Sequence, residues 1–301
     1  MSALASPAGK GSNVHENFMA GLSAEGLAFF NSVCERNFAD QAIAFLNAYW
    51  GEIGSQAEFV FSVAIERFRY ADMHAKGVSL IHLYQDGVNL EFNIGLYFYE
   101  KLCKMLEDSP KWAEGKWAIS QPEMMTAITR KKELRDKVDV NFDGKVSFLE
   151  YLLYQYREFA NPGDFITRSM ATADEHPEIT AARRALEAVN KAIQEYEAEK
   201  YRLETAAALP GVKGLTAKHT LAQLESGPLM ENLNRALITA EAKVRIATKK
   251  YGAGGSALNQ AIRRHPQENP EPVINQCGSN EGTLWWMNRD LEEKKKRYGK
   301  R

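Results

Sequence analysis

Between Asp139 and Glu150 the chain sets oxygen-bearing side chains at the spacing a loop needs to wrap a cation. Asp139, Asn141 and Asp143 hold the first, third and fifth positions, and Gly144 at the sixth permits a sharp turn. Lys145, at the seventh, needs only its backbone carbonyl, so its side chain is unconstrained. Ser147 at the ninth can ligate through a water, and Glu150 at the twelfth can close the shell with both carboxylate oxygens. This is the pattern of an EF-hand loop, and calcium is its cation, because a hard divalent ion wants about six to eight oxygens on a flexible frame. A chance acidic turn does not meet all of these constraints in one short stretch. Glu rather than Asp at the last position favours calcium over magnesium, and Lys145 with only three acidic ligands points to sensor-grade rather than buffer-grade affinity.

Such a loop obliges its flanks to be helical, and they read that way. Glu123 to Val138 is rich in good helix formers, with Leu134 and Val138 on one face. Phe148 to Phe159 is strongly apolar and runs into Asn161-Pro162-Gly163, a stop signal. Hands come in pairs, and the best partner is Tyr84 to Glu91, between a helix ending near His74 and one over Ile94 to Leu106. If Leu90 corresponds to Val146, the twelfth position of this partner is Ile94, which cannot ligate. The expectation is therefore a degenerate first hand that keeps the fold and pairs its short strand with Val146.

The rest of the chain divides by breakers and periodicity. Residues 1–20 are rich in Gly, Ser, Ala and Pro and are expected to be disordered, ahead of an N-terminal helical region over 21–75 and a paired-hand region over 76–165. Leu22 to Cys34, Phe38 to Trp50 and Gln56 to Ala75 read as three helices, with aromatic residues destined for a core. From Ile179 a seam of alternating three- and four-residue steps runs through Ala182, Leu186, Val189, Ile193, Tyr196, Lys200 and Leu203, the mark of a long, coiled-coil-like helix. A short helical piece follows near Ala217 to Glu225. Pro228 then opens a second long helix striped by Leu229, Leu233, Leu237, Ala240, Val244, Ala247 and Tyr251. Residues 175–252 thus form a C-terminal helical bundle, 253–282 a linker and 283–301 a basic, Trp-containing tail. No series of strands is visible, and the fold class is all-α.

Composition adds exclusions. The chain has 301 residues, 45% hydrophobic and 26% charged, which is ordinary for a globular protein. Cys34, Cys103 and Cys277 are odd in number and far apart, which fits free thiols in the cytoplasm and no disulfide frame or zinc site. There is no signal-peptide core near Met1 and no apolar run of about 18 residues, so no transmembrane segment is expected. The histidines pair with no nucleophile motif, and no phosphate or dinucleotide loop is complete, so the chain does not read as an enzyme.

A net charge of −1 hides two local excesses of positive charge. From Leu233 to Gly252, Arg235, Lys243, Arg245, Lys249 and Lys250 face only Glu241. From Thr283 to Arg301, Arg289, Lys294, Lys295, Lys296, Arg297, Lys300 and Arg301 outnumber Asp290, Glu292 and Glu293. Two patches in separate segments suit an acidic, extended partner. Nucleic acid, an anionic membrane surface reached by Trp285 and Trp286, and an acidic protein filament are the three classes that fit. No nucleic-acid motif accompanies the charge.

Several long stretches carry a resemblance. They are Arg130 to Met170, Tyr70 to His74, Leu96 to Lys104, Asp174 to Ile179, Pro210 to Leu215, Ala240 to Gly252 and Trp285 to Gly299. Together they resemble the small calcium-regulated actin-bundling proteins of amoeboid cells, from about Leu22 onward but not in the first twenty residues or between Ala253 and Gly282. The resemblance implies a monomer that cross-links filamentous actin, with calcium weakening the bundling, in the cytoplasm at the actin cytoskeleton of the cortex and protrusions. It also implies an intact second hand, a degenerate first one, and a main filament-binding segment over roughly Ile193 to Gly252. Weaker contacts would come from the N-terminal part and the tail. Carried onto this chain, the actin-binding candidates are Arg235, Lys243, Arg245, Lys249, Lys250, Lys294, Lys295, Lys296 and Arg297. The alternative is a calcium sensor that tethers a different acidic partner or an anionic membrane.

Overall fold

The computed structural model describes residues 23–170, 175–252 and 280–299. The N-terminal segment 1–20, nearly all of the linker over 253–282, and Lys300 and Arg301 lie outside the described residues.

Helices begin where side chains can satisfy the first free N–H groups. Ser23 Oγ accepts from Gly26 N (3.0 Å) to start α1, Ala24–Cys34, and Asn37 Oδ1 accepts from Asp40 N (2.8 Å) to start α2, Phe38–Ile53. The next helix, α3, is continuous through Ala57–Phe59, a π-helical turn at Val60–Ala64, and Ile65–Ala75. Strand β1, Asn89–Glu91, leads into α4, Phe92–Asp108. Thr126 caps α5, Ala127–Glu133, which is extended by a π-helical turn over Leu134–Val138. Strand β2, Lys145–Ser147, leads into α6, Phe148–Gln155. The strands pair antiparallel with Leu90 opposite Val146, and this ribbon is the only sheet among the described residues.

Asn161-Pro162-Gly163, read as a stop, also works as a start. Proline's missing N–H costs nothing at a first helical position, and Asn161 Oδ1 accepts from Asp164 N (2.9 Å), so α7 runs Pro162–Met170. His176 and Pro177 open α8, Pro177–Ala207, whose buried residues include Ile179, Ala182, Leu186, Val189, Ile193, Tyr196 and Leu203 of the expected seam. A turn with Gly211 at φ 90°, a conformation that favours glycine, leads to α9, Val212–Ser226. Pro228 starts α10, Pro228–Tyr251, and the last helix is α11, Glu281–Tyr298.

Two hydrophobic cores result. The first gathers α1–α3, the helices around the ribbon and α7, with a dense aromatic centre: Phe68 lies 4.9 Å from Phe38, 4.9 Å from Phe98 and 5.0 Å from Phe148. The second joins α8 and α10 through Ile179, Val189, Leu237, Ala240 and Val244. Helix α11 belongs to both. Trp286 enters the first core edge-on against Phe61 (4.6 Å), while Leu284, Met287 and Leu291 enter the second. The segment read as a charged tail is a packed helix because its apolar residues occupy two faces and each face has a core to fill. Among the described residues no helix is long and apolar enough to cross a membrane.

Candidate metal centre and basic surface

The turn between α5 and β2 winds around its own acids. Asp139 accepts from Asp143 N (3.2 Å) and Gly144 N (3.0 Å), Asn141 Oδ1 from Asp143 N (3.2 Å), and Asp143 Oδ1 from Lys145 N (2.8 Å). The winding needs left-handed backbone at Phe142 (φ 58°) and Gly144 (φ 76°), which is why a glycine stands at the sixth position. Ser147 and Glu150 then cap α6 reciprocally: Ser147 Oγ accepts from Glu150 N (3.2 Å), and Glu150 Oε2 accepts from Ser147 N (2.8 Å). Glu150 Oε1 accepts from Val140 N (2.8 Å) across the loop.

Glu150 is only 1% exposed, and burial pushes its carboxyl up to about 7 despite these hydrogen bonds. Burial also raises Asp139. No lysine or arginine pairs with Asp139, Asp143 or Glu150 among the described residues. Among those residues, no three histidine, cysteine or carboxylate side chains already converge on one point. The loop therefore has the donor set and the winding that calcium takes, with two buried carboxyls that lack a counter-charge. The residues fit the ion. Cys34 lies beneath the loop, 3.4 Å from Ser147 Oγ, its thiol raised by burial and by Glu150.

The first loop is built differently. Asp86 is gripped by Arg69, with Nε and Nη2 each 2.8 Å from a carboxylate oxygen, and Arg69 also reaches Glu66 (2.8 Å). Asp72, 5% exposed, takes Lys76 (2.7 Å) and the Tyr84 hydroxyl (2.7 Å). Gly87 is pressed against it, where a Cβ would lie 2.5 Å from the Asp72 carboxylate. Ile94, at the position where a twelfth ligand would stand, packs against the first core inside α4.

The basic candidates sort by whether an acid already holds them. Arg235 pairs with Glu231 (2.6 Å), Arg245 with Glu241 (3.3 Å), Lys250 with Glu178 (2.6 Å), Lys295 with Glu241 (3.0 Å) and Arg297 with Glu293 (2.6 Å). Lys294 pairs with Asp290. Lys243, Lys249 and Lys296 are exposed or nearly so and make no ion pair among the described residues. The face of α10 turned away from the second core also carries Ile238 (66% exposed) and Ile246 (51% exposed). Sequence reasoning missed both, although their signal was present: apolar residues lying off the helix's buried stripe. Trp286 is buried, and Trp285 packs near Trp50 (6.2 Å) and Phe61 (6.0 Å), so neither indole is a free membrane-facing surface.

A helix–loop–helix whose turn carries cation-compatible oxygens thus stands in one chain with the long helices α8 and α10, the latter with a basic outer face. Residues 145–271 match the family described as F actin bundling C terminal. The chain is 56% identical over 285 residues to the "calcium-regulated actin-bundling protein" of Dictyostelium discoideum, covering 94% of this chain and 92% of that protein. The crystal structure of the 34 kDa F-actin bundling protein from Dictyostelium discoideum superposes with a TM-score of 0.79 at 55% identity, covering 93% of this chain and 99% of that one. The chain belongs to this family of calcium-regulated actin-bundling proteins, whose similar members are structural proteins and not enzymes.

Proposed function

We propose that this protein binds actin filaments and cross-links them into bundles, and that calcium weakens the bundling. The observation that carries the reading is 56% identity over nearly the whole chain to a protein named for calcium-regulated actin bundling, together with an EF-hand loop pattern in which every oxygen-bearing position is filled. In this reading β1 and β2 join a degenerate first hand to an intact second one. The second hand holds the ion through Asp139, Asn141, Asp143, the Lys145 carbonyl, Ser147 and Glu150. Bound calcium supplies the positive charge these oxygens lack. Residues 175–252 form the main filament-binding bundle, and the exposed face of α10, with Lys243, Lys249, Ile238 and Ile246, is its contact surface. Further contacts come from the N-terminal region and from the basic end of α11 around Lys296. The protein works as a monomer in the cytoplasm, at the actin cytoskeleton of cortex and protrusions.

Cross-linking needs at least two filament contacts per particle, and individually weak contacts suffice when they are linked. A coupling of about 1–3 kcal/mol between the ion and filament sites would change filament affinity roughly 5- to 150-fold, enough for a switch. Co-sedimentation with actin filaments, at high speed for binding and low speed for bundling, tests this with calcium or with chelator. Bundling that is lower with calcium supports the reading. No binding in either condition overturns it.

A further inference from the structure

Gln41 and Asn47 lie on α2, and each holds a different part of the molecule. Gln41 is wholly buried. Its Oε1 accepts from the backbone N–H of Leu149 (2.9 Å), in the first turn of α6 and beside Glu150. Its Nε2 donates to the carbonyls of Cys34 (3.0 Å), Arg36 (2.7 Å) and Val88 (2.8 Å). One side chain thereby touches both loops, since Val88 precedes β1 and Leu149 follows β2.

Further along α2, Asn47 Oδ1 accepts from the backbone N–H of Thr283 (2.8 Å), and its Nδ2 donates to the Thr283 hydroxyl (2.7 Å). Gly282 next door lies so close to α2 that a Cβ there would sit 2.8 Å from Leu46 and from the Asn47 backbone. The start of α11 is clasped without slack. At its other end α11 reaches α10, where Lys295 pairs with Glu241 (3.0 Å) and Asn288 donates to Thr248 Oγ1 (3.2 Å). With a rise of about 1.5 Å per residue, Gln41 and Asn47 are about 9 Å apart on one rigid rod.

We propose that α2 is the lever that carries the state of the second loop to the basic face of α10, with Gln41 as its grip on the loop and Asn47 as its grip on α11. The inference rests on the calcium-regulated bundling reading above and names how that regulation is transmitted. Glu150's carboxylate is held by Val140 and Ser147 N–H groups, so a change in what it accepts from moves the first turn of α6. Leu149 N–H is one residue away, and its bond to Gln41 passes that movement to α2. Close-packed interiors transmit such shifts because their interfaces switch between discrete packings. A coupling route needs a test in which both ends are read separately.

The experiment uses the full chain with Asn47→Ala and Asn47→Asp. The first removes both bonds to Thr283, while the second keeps an acceptor for its N–H and its hydroxyl. Calcium affinity is read by calorimetric titration, hydrogen exchange is followed across residues 284–291 with calcium or chelator, and actin bundling is measured by low-speed sedimentation. In the wild type, calcium should change exchange in α11. In Asn47→Ala that change, and the calcium dependence of bundling, should collapse to near unity, while calcium affinity stays within about twofold, a shift small against the 5- to 150-fold range of typical coupling. Asn47→Asp should restore both. If Asn47→Ala fails to fold, Thr283→Val removes the hydroxyl half of the clasp and takes its place. Undiminished calcium dependence in the alanine variant, or α11 exchange indifferent to calcium in the wild type, overturns the lever. Calcium-sensitive exchange without calcium-sensitive bundling in the wild type would instead overturn the functional reading and leave the lever standing.

Discussion

The two loops at the ends of the short ribbon solve one electrostatic problem in opposite ways. At the first, Asp86 and the neighbouring Asp72 of α3 have cations of their own, Arg69 and Lys76, covalently part of the chain. In the second, Asp139, Asp143 and Glu150 have none among the described residues, and Glu150 stays buried with its carboxyl raised to about 7. An acid buried beside a tethered guanidinium is permanently satisfied. One buried with hydrogen bonds but no cation beside it keeps much of its desolvation penalty. A pair of loops with the same strand register can thus hold one fixed element and one that responds.

The sharpest way to break this contrast is Glu150→Gln. It removes the charge and weakens bidentate closure with little change in size. Calcium affinity measured by calorimetry should fall by more than about tenfold, and bundling should become equal with calcium and with chelator. Affinity close to the wild type would show that the second loop does not depend on its closing carboxylate. Linkage adds a reciprocal measurement: if calcium weakens filament binding, actin filaments must raise the calcium needed for half-saturation by the same factor.

Arg69→Leu attacks the other loop. Asp86 and Glu66 lose their shared partner, and because the pair is partly solvated the cost should be about 1–3 kcal/mol in urea denaturation. Calcium stoichiometry should remain one per chain, since Ile94 offers no oxygen at the closing position. A second calcium site in this variant would mean that Arg69 merely excludes the ion. Gly87→Ala probes the same loop by a second route, expected to cost about 1–3 kcal/mol because the new methyl collides with the Asp72 carboxylate.

The distinction between paired and unpaired charge also sorts the basic face of α10. Lys243→Glu with Lys249→Glu should weaken filament co-sedimentation and leave the thermal midpoint within a few degrees, because neither lysine holds an ion pair among the described residues. Either change alone should do little, exposed single charges being worth at most about 1 kcal/mol. Lys250→Glu should do less to filament binding and more to stability, since it places two acids together at Glu178. Normal binding by the double variant would remove these lysines from the contact surface.

The parts of this comparison differ in how far sequence revealed them. Loop chemistry is local: the winding of the acidic turn and the glycine at its sixth position follow from fixed spacing, and helix starts follow from Ser23, Asn37 and Pro228. The step seam of α8 also matches its buried face. Arg69 meeting Asp86 depends on how α3 lies against the loop, which no periodicity encodes. Gln41 looked like any polar residue on a helix, yet it bonds groups near three separate segments. In α11 the apolar residues were visible as Leu284-Trp285-Trp286-Met287, but the existence of two cores to receive them was not. Charge runs dominate a linear reading, whereas burial is decided by distant partners.

The placement of α11 has a consequence for biogenesis. Asn47 and Thr283 are joined across 236 positions of chain, and the slot beside Phe61 is filled by Trp286, from the same late helix. A ribosome adding about 5–20 residues per second exposes every other described helix before this one emerges. Until then the first core lacks Trp286 and the second lacks Leu284, Met287 and Leu291, so both present uncovered apolar surface to solvent. Termination between Tyr251 and Thr283 would release a polypeptide with two open wounds at once, and quality-control proteases would meet it as a folded but unsealed molecule.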